Sequence, residues 1–589
     1  MIVTMQKVLI FGTKQNKDMV LHKLQEAGVV HVEPVEEKRF PCLKPEESLT
    51  ELNQALEILS SYCPSVEKTA IEVEKIPFNV IDANKKLQEL EEKKKLQQQK
   101  LSDLEVWGDF SSKLIQSLQE QKIFLRFWKC STKEVALFKA SCIPWQKQAA
   151  GMAYLMTVSY QESLEAPANA QEIIFPKGSR EWKEEISQTE KEIEEQKEII
   201  SKCATSISLL KDYSRRLKDQ IVFEATEYSL LEKGEIFGLK GWIPKEDVAS
   251  LKAKMENLSI ALEICDAEEG DAPPTLMRNP KWIQSVLDVI HLYATPGYKE
   301  WDPSFMVYFA FAVFFAMILG DGGYGILMLS LTIYFRNKMK ESDSGQRLYY
   351  LLITLSISTI LWGAISCTWF ALDMNKISHD SPFAFLKKLK NLQICDTNDT
   401  NLMMMVAIYI GIVHICLAHI VQIFRQWGST VILANLGWII GMWGAVLHLH
   451  LAHPAGKYLF FSGIGLVFLF SSTSKNILLH IAEGLLGVLG VSQTFADIMS
   501  YLRLFALGLA GTVMGSIFNQ LGADVQAFLP GIFGYLLMLI IVFFGHTLNF
   551  AMSVMGGFIH GLRLNFLEFY RYCFEGSGHI YRPMSLHKK

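Results

Sequence analysis

The sequence lacks the short motifs that mark disulfide, metal and nucleotide chemistry. Its ten cysteines include no CxxC pair and no metal-ligand spacing, so we expect them to be small buried hydrophobic side chains. No phosphate-binding loop of the form GxxxxGK followed by Ser or Thr occurs, which predicts that the chain does not hydrolyse ATP itself. The spacing GxGxxG does occur at 320–325, but it lies between two apolar runs, and this context excludes a dinucleotide site. We therefore expect no cofactor.

Charged residues are scarce in the second half of the chain. The 589 residues are 50% hydrophobic and 20% charged, with a formal net charge of -4, but Lys and Glu are concentrated before Trp301. This shift in composition predicts two domains, a polar one over residues 1–300 and an apolar one over residues 301–589. The near-neutral balance gives no reason to expect nucleic acid as a partner.

The polar half combines α/β lobes with long helices. Strand and amphipathic-helix patterns alternate over residues 1–80, 123–175 and 225–270. Apolar residues recur every seven positions over 82–122 and again over 178–222, with Lys94 and Gln97 among the core positions of the first stretch. The predicted fold of this half is α+β, with the lobes joined by an antiparallel coiled-coil hairpin roughly 60 Å long. A plain spacer or dimerising coiled coil is the alternative interpretation.

The apolar half predicts an all-α transmembrane domain of eight helices. Most of the apolar stretches are close to the ~20 residues that span a bilayer, and they lie near 305–319, 324–335, 349–372, 402–424, 431–450, 458–471, 485–521 and 531–570. The last two are too long for an upright crossing, because the 32 steps from 531 to 563 make about 48 Å of helix against a ~30 Å hydrocarbon core. We therefore expect two long tilted C-terminal helices.

The orientation follows from the polar N-terminal half and from the basic residues between the spans. No secretory signal precedes the first strand pattern, so we expect the N-terminal half to stay in the cytoplasm. Arg336 and Arg347 lie between the second and third stretches and Arg571 follows the last, as expected for cytoplasmic segments. An even number of spans returns the C-terminus to the same side. The sequence predicts a multi-pass integral membrane protein.

Two arginines, Arg503 and Arg563, lie within the last two apolar stretches. A charged side chain at bilayer depth costs at least ~2.5 kcal/mol to insert, so each is a functional candidate by default. A guanidinium stays protonated, and it therefore cannot carry a proton itself but stabilises the charged form of a nearby carboxylate. The two arginines indicate an ion path whose mobile, negative partner lies on another chain. A structural ion pair within this chain is the alternative.

Other polar residues near the arginines are candidates for the same path. Four of them lie on the last stretch at spacings of three, four and seven residues, and they share one helical face with Arg563. Asp497 and Ser500 precede Arg503, and Glu568 follows Arg563. Glu483 lies just before the stretch that contains Arg503, where it could line a cytoplasmic entrance. Asp497 is six residues from Arg503 and does not share its face. These candidates are His546, Asn549, Ser553, His560, Asp497, Ser500, Glu483 and Glu568.

Three segments carry a resemblance to a known family. The runs SYLRLFALGLA from Ser500, GLRLNFLEF from Gly561 and GWIP from Gly241 resemble the signature of the large membrane stator subunit of V/A-type rotary ATPases, called subunit a, or subunit I in prokaryotes. The resemblance covers essentially the whole chain. It implies that Arg503 and Arg563 correspond to the two arginines that face a ring of proteolipid subunits, whose carboxylates carry the ion.

The same resemblance implies the partners and the place of the chain. A non-catalytic stator subunit provides aqueous half-channels, and it couples ATP hydrolysis or synthesis to translocation of protons or sodium. Its N-terminal arm binds the peripheral stalk subunits, and it contacts the central stalk and ATPase sector indirectly. The length of the chain favours a prokaryotic enzyme in the cell (inner) membrane. Which ion is carried, in which direction the machine runs and which residues bind the stalk remain open.

The chain departs from the family pattern at one position. Some relatives carry an acid ahead of the second arginine, but no acidic residue lies between Pro530 and Arg563. The composition of the outer half-channel is therefore open. Two other functions are alternatives: a self-contained secondary ion transporter, which requires an intramembrane acid and inverted halves, and a membrane-anchored coiled-coil scaffold, which does not require the arginines.

Overall fold

The computed structural model describes residues 1–589 except 35–43, 63–71, 132–141, 150–151, 161–169, 176, 269, 373–392, 394–398, 473–475, 530 and 587–589. The chain is mostly helical, and it begins with a mixed α+β region that is followed by apolar helices. This confirms the predicted fold class at that level. The chain forms two units, which are Met1–Leu9, Gly241–Lys252 and Leu262–Pro583 in one and Ile10–Lys240, Ala253–Ala261 and Met584–Lys589 in the other.

The strands form two sheets. They are β1 (Met5–Thr13), β2 (His31–Glu33), β3 (Phe124–Ser131), β4 (Cys142–Ala149), β5 (Met152–Ser159), β6 (Gln171–Ile173), β7 (Leu231–Lys233), β8 (Ile236–Pro244) and β9 (Ile260–Asp266). The first sheet has the order β2-β8-β1-β9, with β7 on β8, so the predicted lobes at 1–80 and 225–270 contribute strands to one sheet.

The second sheet has the order β4-β5-β3-β6 and lies within the predicted lobe at 123–175. Strands β3 and β5 are antiparallel, from Phe124 opposite Ser159 to Ser131 opposite Met152. Every second residue of β5 from Ala153 onward is buried, which is the period-two pattern of a strand with one covered face. The Trp128 Nε1–H donates to Thr157 Oγ1 at 3.0 Å, so these two polar groups of the buried face satisfy each other.

The helices before the apolar half are α1 (Lys17–Ala27), α2 (Lys44–Ser60), α3 (Ile76–Leu104), α4 (Ser112–Glu120), α5 (Ser179–Ala204), α6 (Ile207–Tyr228), α7 (Val248–Met255) and α8 (Leu287–Tyr293). Helix α3 packs on α5. Polar core positions predicted for α3 are paired across this contact: Thr189 Oγ1 donates to Gln97 Oε1 at 3.1 Å, and Lys94 Nζ lies 2.8 Å from Glu190.

The continuous two-helix hairpin predicted over 82–122 and 178–222 is not what the structure contains. The outgoing arm ends at Leu104, and the returning arm is divided between Ala204 and Ile207. Helix α2, which the heptad pattern did not indicate, packs against both α3 and α6. The apolar faces of α2, α3, α5 and α6 form one hydrophobic core. Its buried residues are Leu52, Ala55, Leu59, Ile76, Val80, Ala83, Ile200, Cys203, Ala204, Leu210 and Leu217. A third helix removes the need for an unbroken two-helix seam.

The apolar half contains α9 (Ser304–Leu319), α10 (Gly322–Tyr334), α11 (Arg336–Met339), α12 (Asp343–Ser366), α13 (Thr400–Arg425), α14 (Val431–Leu449), α15 (Ala455–Phe470), α16 (Ile477–Ser500), α17 (Leu502–Phe528), α18 (Ile532–Arg563) and α19 (Tyr570–Cys573). By length and composition, five helical segments of the described residues are able to span a membrane: α12, α13, α14, α16 together with α17, and α18 together with α19. The number is six if the bent pair α9–α10 is one span. These helices support a multi-pass membrane protein, and the count of eight spans stays a prediction.

The first two predicted spans form a sharply bent pair. Gly320 adopts the left-handed conformation, with φ of 67°, and ends α9, and α10 leaves at an angle of 119° to it. The buried Asp321 carboxylate caps α10 by accepting from the N–H groups of Gly323 and Tyr324 at 2.7 and 3.3 Å. It also accepts from the N–H groups of Phe370 and Ala371 at 2.8 and 2.7 Å. The glycine-rich segment at 320–325 is therefore a helix–helix turn that holds the chain after α12.

We expect that Ile200→Ala lowers the free energy of unfolding of the α2–α3–α5–α6 core by about 2–5 kcal/mol, because it opens a cavity at a fully buried position. The matched control is Ile199→Ala, since Ile199 is the neighbouring isoleucine and is 42% exposed. That change is expected to stay within about 0.5 kcal/mol. The measurement is thermal unfolding of the full chain in detergent, and equal effects of the two variants would contradict the packing described.

Candidate functional site

Arg503 lies within the 52-residue apolar segment Ile477–Phe528 and directly follows a one-residue interruption of the helix at Tyr501. Helix α16 ends at Ser500 and α17 begins at Leu502, and the Tyr501 N–H donates to the Ile498 carbonyl at 3.1 Å, a bond of the i→i−3 kind. The Tyr501 ring is fully buried, and a Cβ at Gly411 would lie 2.7 Å from it. The tyrosine anchors the break from which Arg503 projects.

A π-helical turn brings Glu568 to the two arginines. The turn spans Leu564–Phe569, directly after α18. In an α-helix, residues five apart do not lie on the same face, but the i→i+5 bonding of a π-helix places them nearly above one another. Glu568 Oε1 consequently lies 4.0 Å from Arg563 Nε and also 4.0 Å from Arg503 Nη1. Single π-helical turns occur often at functional sites.

The three charged groups differ in burial and are incompletely paired. The side chain of Glu568 is 5% exposed, that of Arg503 is 22% exposed and that of Arg563 is 50% exposed. Neither Glu568 Oε2 nor Arg503 Nη1 has a hydrogen-bond partner among the described residues. Ser500 interacts with the Glu568 carboxylate, and His560 lies close enough to both arginines to interact with their charge. The site thus contains two fixed cations, one buried carboxylate and polar atoms that are left without partners.

His546, Asn549, Ser553 and His560 form a polar stripe along α18. The part of this stripe that is farther from the arginines is hydrogen-bonded to α10 and α17. Asn549 Nδ2 donates to the Tyr324 hydroxyl at 2.9 Å and to the Gly511 carbonyl at 2.8 Å. His546 Nδ1 lies 2.7 Å from the same hydroxyl, and His546 Nε2 lies 2.9 Å from Asn519 Oδ1. Ser553 Oγ donates to Asn549 Oδ1 at 3.4 Å. The groups that face this part of the stripe lie within the chain.

The amide groups at the two ends of this network determine which group donates and which accepts in each hydrogen bond. Asn519 Nδ2 donates to the Phe370 carbonyl at 2.9 Å, so Asn519 Oδ1 is an acceptor and His546 Nε2 carries the proton. His546 Nδ1 then accepts from the Tyr324 hydroxyl, which in turn accepts from Asn549. Tyr324 and Asn519 were not among the predicted site residues. Their signal in the sequence was a polar side chain within an apolar stretch.

Asp497 and Glu483 are not placed with the arginines. Asp497 accepts from Arg571 Nη1 at 2.9 and 3.0 Å, from the Tyr572 hydroxyl at 2.7 Å and from Gln493 Nε2 at 2.8 Å. This carboxylate therefore has its partners in a separate cluster that ties α16 to α19. Glu483 is exposed on α16. It precedes Arg503 by 20 residues, which corresponds to about 30 Å of helix.

Two buried histidines on α13 pack near the site without joining it. His414 Nδ1 lies 2.8 Å from the Tyr501 hydroxyl, and its ring stacks on Phe569 at 4.3 Å. His419 Nδ1 lies 2.9 Å from Asn435 Oδ1. Each ring thus has one bonded nitrogen and stacks on an aromatic ring, so we assign both histidines to packing.

The chain is similar to subunits of V-type and A-type ATPases and ATP synthases. The V-type ATPase 116kDa subunit family matches residues 162–421. The V-type ATP synthase subunit I of Borreliella burgdorferi is 28% identical over 637 residues, covering 100% of both chains. The subunit of that name from Chlamydia pneumoniae is 27% identical over 99% of this chain and 96% of its own. The A-type ATP synthase subunit I of Methanocaldococcus jannaschii is 25% identical over 60% of this chain and 55% of its own.

We expect that Asp497→Ala lowers the free energy of unfolding by about 1–3 kcal/mol, because it removes the acceptor that Gln493, Arg571 and the Tyr572 hydroxyl share and leaves Tyr572 only its longer bond to Thr494. Glu483→Ala, on the same helix but exposed, is the matched control and is expected to have almost no effect. Thermal unfolding of the full chain in detergent measures both. Indistinguishable unfolding temperatures for the two variants would show that the cluster does not tie the helices.

Proposed function

The chain belongs to the V-type ATPase 116kDa subunit family, and from this premise we propose that it is the membrane stator subunit of a V/A-type rotary ATPase. Proteins of this family are non-catalytic membrane subunits of the ATPase. In the proposal, Arg503 faces a ring of proteolipid subunits and couples ATP hydrolysis or synthesis to translocation of protons or sodium. The observation that carries the proposal is the pair of guanidinium groups that share the single buried carboxylate of Glu568.

The charge balance of this site favours an approaching carboxylate. Glu568 compensates one of the two positive charges, so the site keeps a net positive charge. The 4.0 Å separations are longer than the 2.7–2.9 Å typical of a charge-assisted hydrogen bond, and the guanidinium donors therefore remain available. Two unit charges at 4 Å interact by about 4 kcal/mol at an effective dielectric constant of 20. Desolvation and solvent screening reduce this attraction, and a carboxylate from a partner subunit can compete with Glu568 for the arginines.

The polar stripe of α18 supports a route to this site that requires no acid between Pro530 and Arg563. We propose that the outer half-channel runs along the hydroxyl, imidazole and amide groups of Tyr324, His546 and Asn549, and continues past Ser553 and His560 to the arginines. Water completes such a route where side chains do not touch. His560 Nδ1 is buried and has no hydrogen-bond partner among the described residues, which is consistent with a water there.

The proposal also includes the arrangement in the membrane. Eight spans and cytoplasmic termini agree with the positions of Arg336, Arg347 and Arg571, and the length of the chain favours a prokaryotic inner membrane. The N-terminal unit would bind the peripheral stalk subunits and reach the ATPase sector only through them. These statements concern the assembled complex, and purification in mild detergent followed by identification of the co-purifying subunits would test them.

The alternative of a self-contained ion transporter is disfavoured by the buried acids. Such a transporter requires an intramembrane carboxylate that is available to bind the ion. Asp321 accepts four backbone N–H bonds, Asp497 is paired with Arg571, and Glu568 lies between two arginines. The alternative of a coiled-coil scaffold predicts that Arg503 is dispensable, which the first experiment below tests.

We expect that Arg503→Ala abolishes ATP-driven ion uptake into membrane vesicles while the complex still assembles. Arg503→Lys is expected to fail as well, because an ammonium lacks the planar fork of donors and loses its charge more readily when buried. Arg347→Lys, at a surface arginine 2.8 Å from Asp288, is the matched control and is expected to pump normally. Normal pumping by an assembled Arg503→Lys complex would rule out the proposed role.

We expect that Tyr324→Phe reduces ATP-driven ion uptake about 3- to 10-fold, since it removes the one hydroxyl that bonds both His546 and Asn549. Tyr334→Phe is the matched control, because Tyr334 is on the same helix and is 80% exposed. Uptake rates are compared at equal amounts of assembled complex. If the two variants pump equally well, the route along α18 is wrong, although the role of Arg503 would be unaffected.

A further inference from the structure

A large apolar cavity lies between four helices on a different side of the apolar half from the polar stripe. Its volume is about 850 Å³, and it is bounded by α13, α14, α15 and α16. Apart from Tyr409, His450, Ser492 and Thr494, the residues that line it are apolar or glycine. Cavities of about 300–1,000 Å³ have the size of ligand-binding sites. An apolar cavity offers water too few partners to hold it.

Glycine contacts explain why the cavity is present. The backbones of α14 and α15 touch where Gly437 and Gly463 meet, since a Cβ on Gly463 would lie 2.6 Å from the Gly437 carbonyl oxygen. Likewise a Cβ on Gly484 would lie 2.4 Å from the Phe468 carbonyl oxygen, so α15 and the beginning of α16 also touch directly. These two contacts fix α15 against its neighbours at particular points. The space along the later part of α16 is left without a protein side chain to fill it.

The cavity is continuous with the exterior of the helices. Leu449, Leu489 and Phe495 line it and are also 80%, 62% and 61% exposed. All four walls are helices of the apolar half, and three of them are long enough to span a membrane. In a bilayer the material in contact with such side chains is lipid hydrocarbon.

At the connection between α14 and α15, His450 and Tyr409 line the cavity, and His453 and Lys457 follow within seven residues of His450. The Tyr409 hydroxyl bonds His450 Nδ1 there. The Ala455 N–H donates to His453 Nδ1, so the proton of that imidazole is on Nε2, where it serves as a donor. Lys457 is exposed and lies one turn before Phe460, a lining residue, on the same face of α15. An ammonium and two imidazoles are suited to a phosphate group.

We propose that this cavity binds one phospholipid molecule, with an acyl chain between α13, α14, α15 and α16 and its phosphate at His450, His453 and Lys457. The bound chain replaces the side chains that are missing along α16 and thereby supports the helix that leads to Tyr501 and Arg503. This inference is independent of the proposed function, because no group of the cavity belongs to the polar route or to the arginine site.

The first test measures the phospholipid that remains bound after extensive detergent washing of the intact complex. The chain is then isolated from the washed complex, and its bound phospholipid is measured by native mass spectrometry and phosphate analysis. The wild type is expected to retain at least one phospholipid per chain. Ala445→Phe and Val488→Phe, which fill the cavity, are expected to reduce that amount at least fivefold. Ile357→Phe, at an exposed position of α12, is the matched control and is expected to retain lipid as the wild type does.

Variants of the polar end test the position of the phosphate. Lys457→Gln is expected to weaken retention at least threefold, whereas Lys340→Gln is expected to leave it unchanged. Lys340 is a suitable control because its ammonium lies over the Tyr349 ring at 5.2 Å, as that of Lys457 lies over Tyr458 at 4.9 Å. Equal retention by these two variants would overturn the placement of the phosphate.

A photo-cross-linking amino acid at Ser492 decides between occupants even if the filled variants do not accumulate. In native membranes it is expected to form an adduct with phospholipid. An adduct with another protein chain, no lipid adduct, or unchanged lipid retention in Ala445→Phe and Val488→Phe would overturn the proposal. Lipid binding is also measured in Arg503→Ala, where it is expected to persist, so the outcome here is distinguishable from failure of the proposed stator role.

Discussion

The apolar half of this chain depends on one electrostatic constraint: two guanidinium groups share one buried carboxylate. Charges within apolar helices are tolerated only where partners compensate them, and Glu568 supplies that compensation at 4.0 Å from both Arg503 and Arg563. The break at Tyr501 and the π-helical turn over Leu564–Phe569 are the backbone features that make this arrangement geometrically possible. Both lie in the backbone beside the charges, where a regular α-helix would turn the side chains apart.

Two other buried acids of the apolar half, Asp321 and Asp497, have several hydrogen-bond donors each, and Glu568 differs from them in this respect. Asp321 accepts four backbone N–H bonds, and Asp497 accepts from Arg571, Tyr572 and Gln493. Those two carboxylates stabilise a turn and a helix contact. Glu568 instead leaves Oε2 without a partner among the described residues. Because buried polar atoms are nearly always bonded, Oε2 requires a water molecule or a group of another chain as its partner.

Periodicity in the sequence predicted what lies on one helix, and it missed what lies between helices. The spacing of His546, Asn549, Ser553 and Arg563 correctly placed them along α18, since a helical face depends only on local geometry. The pairing of Asp497 with Arg571 joins residues 74 apart, and the approach of Glu568 depends on a change from i→i+4 to i→i+5 bonding. Helix α2 was missed for a related reason, because its packing depends on core positions far along the chain.

The hydrogen-bond chain along α18 limits how the proposed route can conduct. A side chain relays a proton only if it both accepts and donates one, which a hydroxyl and an imidazole do and a neutral amide does not. Tyr324 and His546 therefore form the segment able to relay, and the amides of Asn549 and Asn519 fix its direction at either end. Ser553 and His560 lie between this segment and Arg503, but they are two helical turns from one another and too far apart to continue the hydrogen-bond chain by themselves. Proton transfer along this route therefore requires water between them, whereas sodium would require the amide and hydroxyl oxygens to turn towards the ion, and the two cases place opposite demands on the same groups.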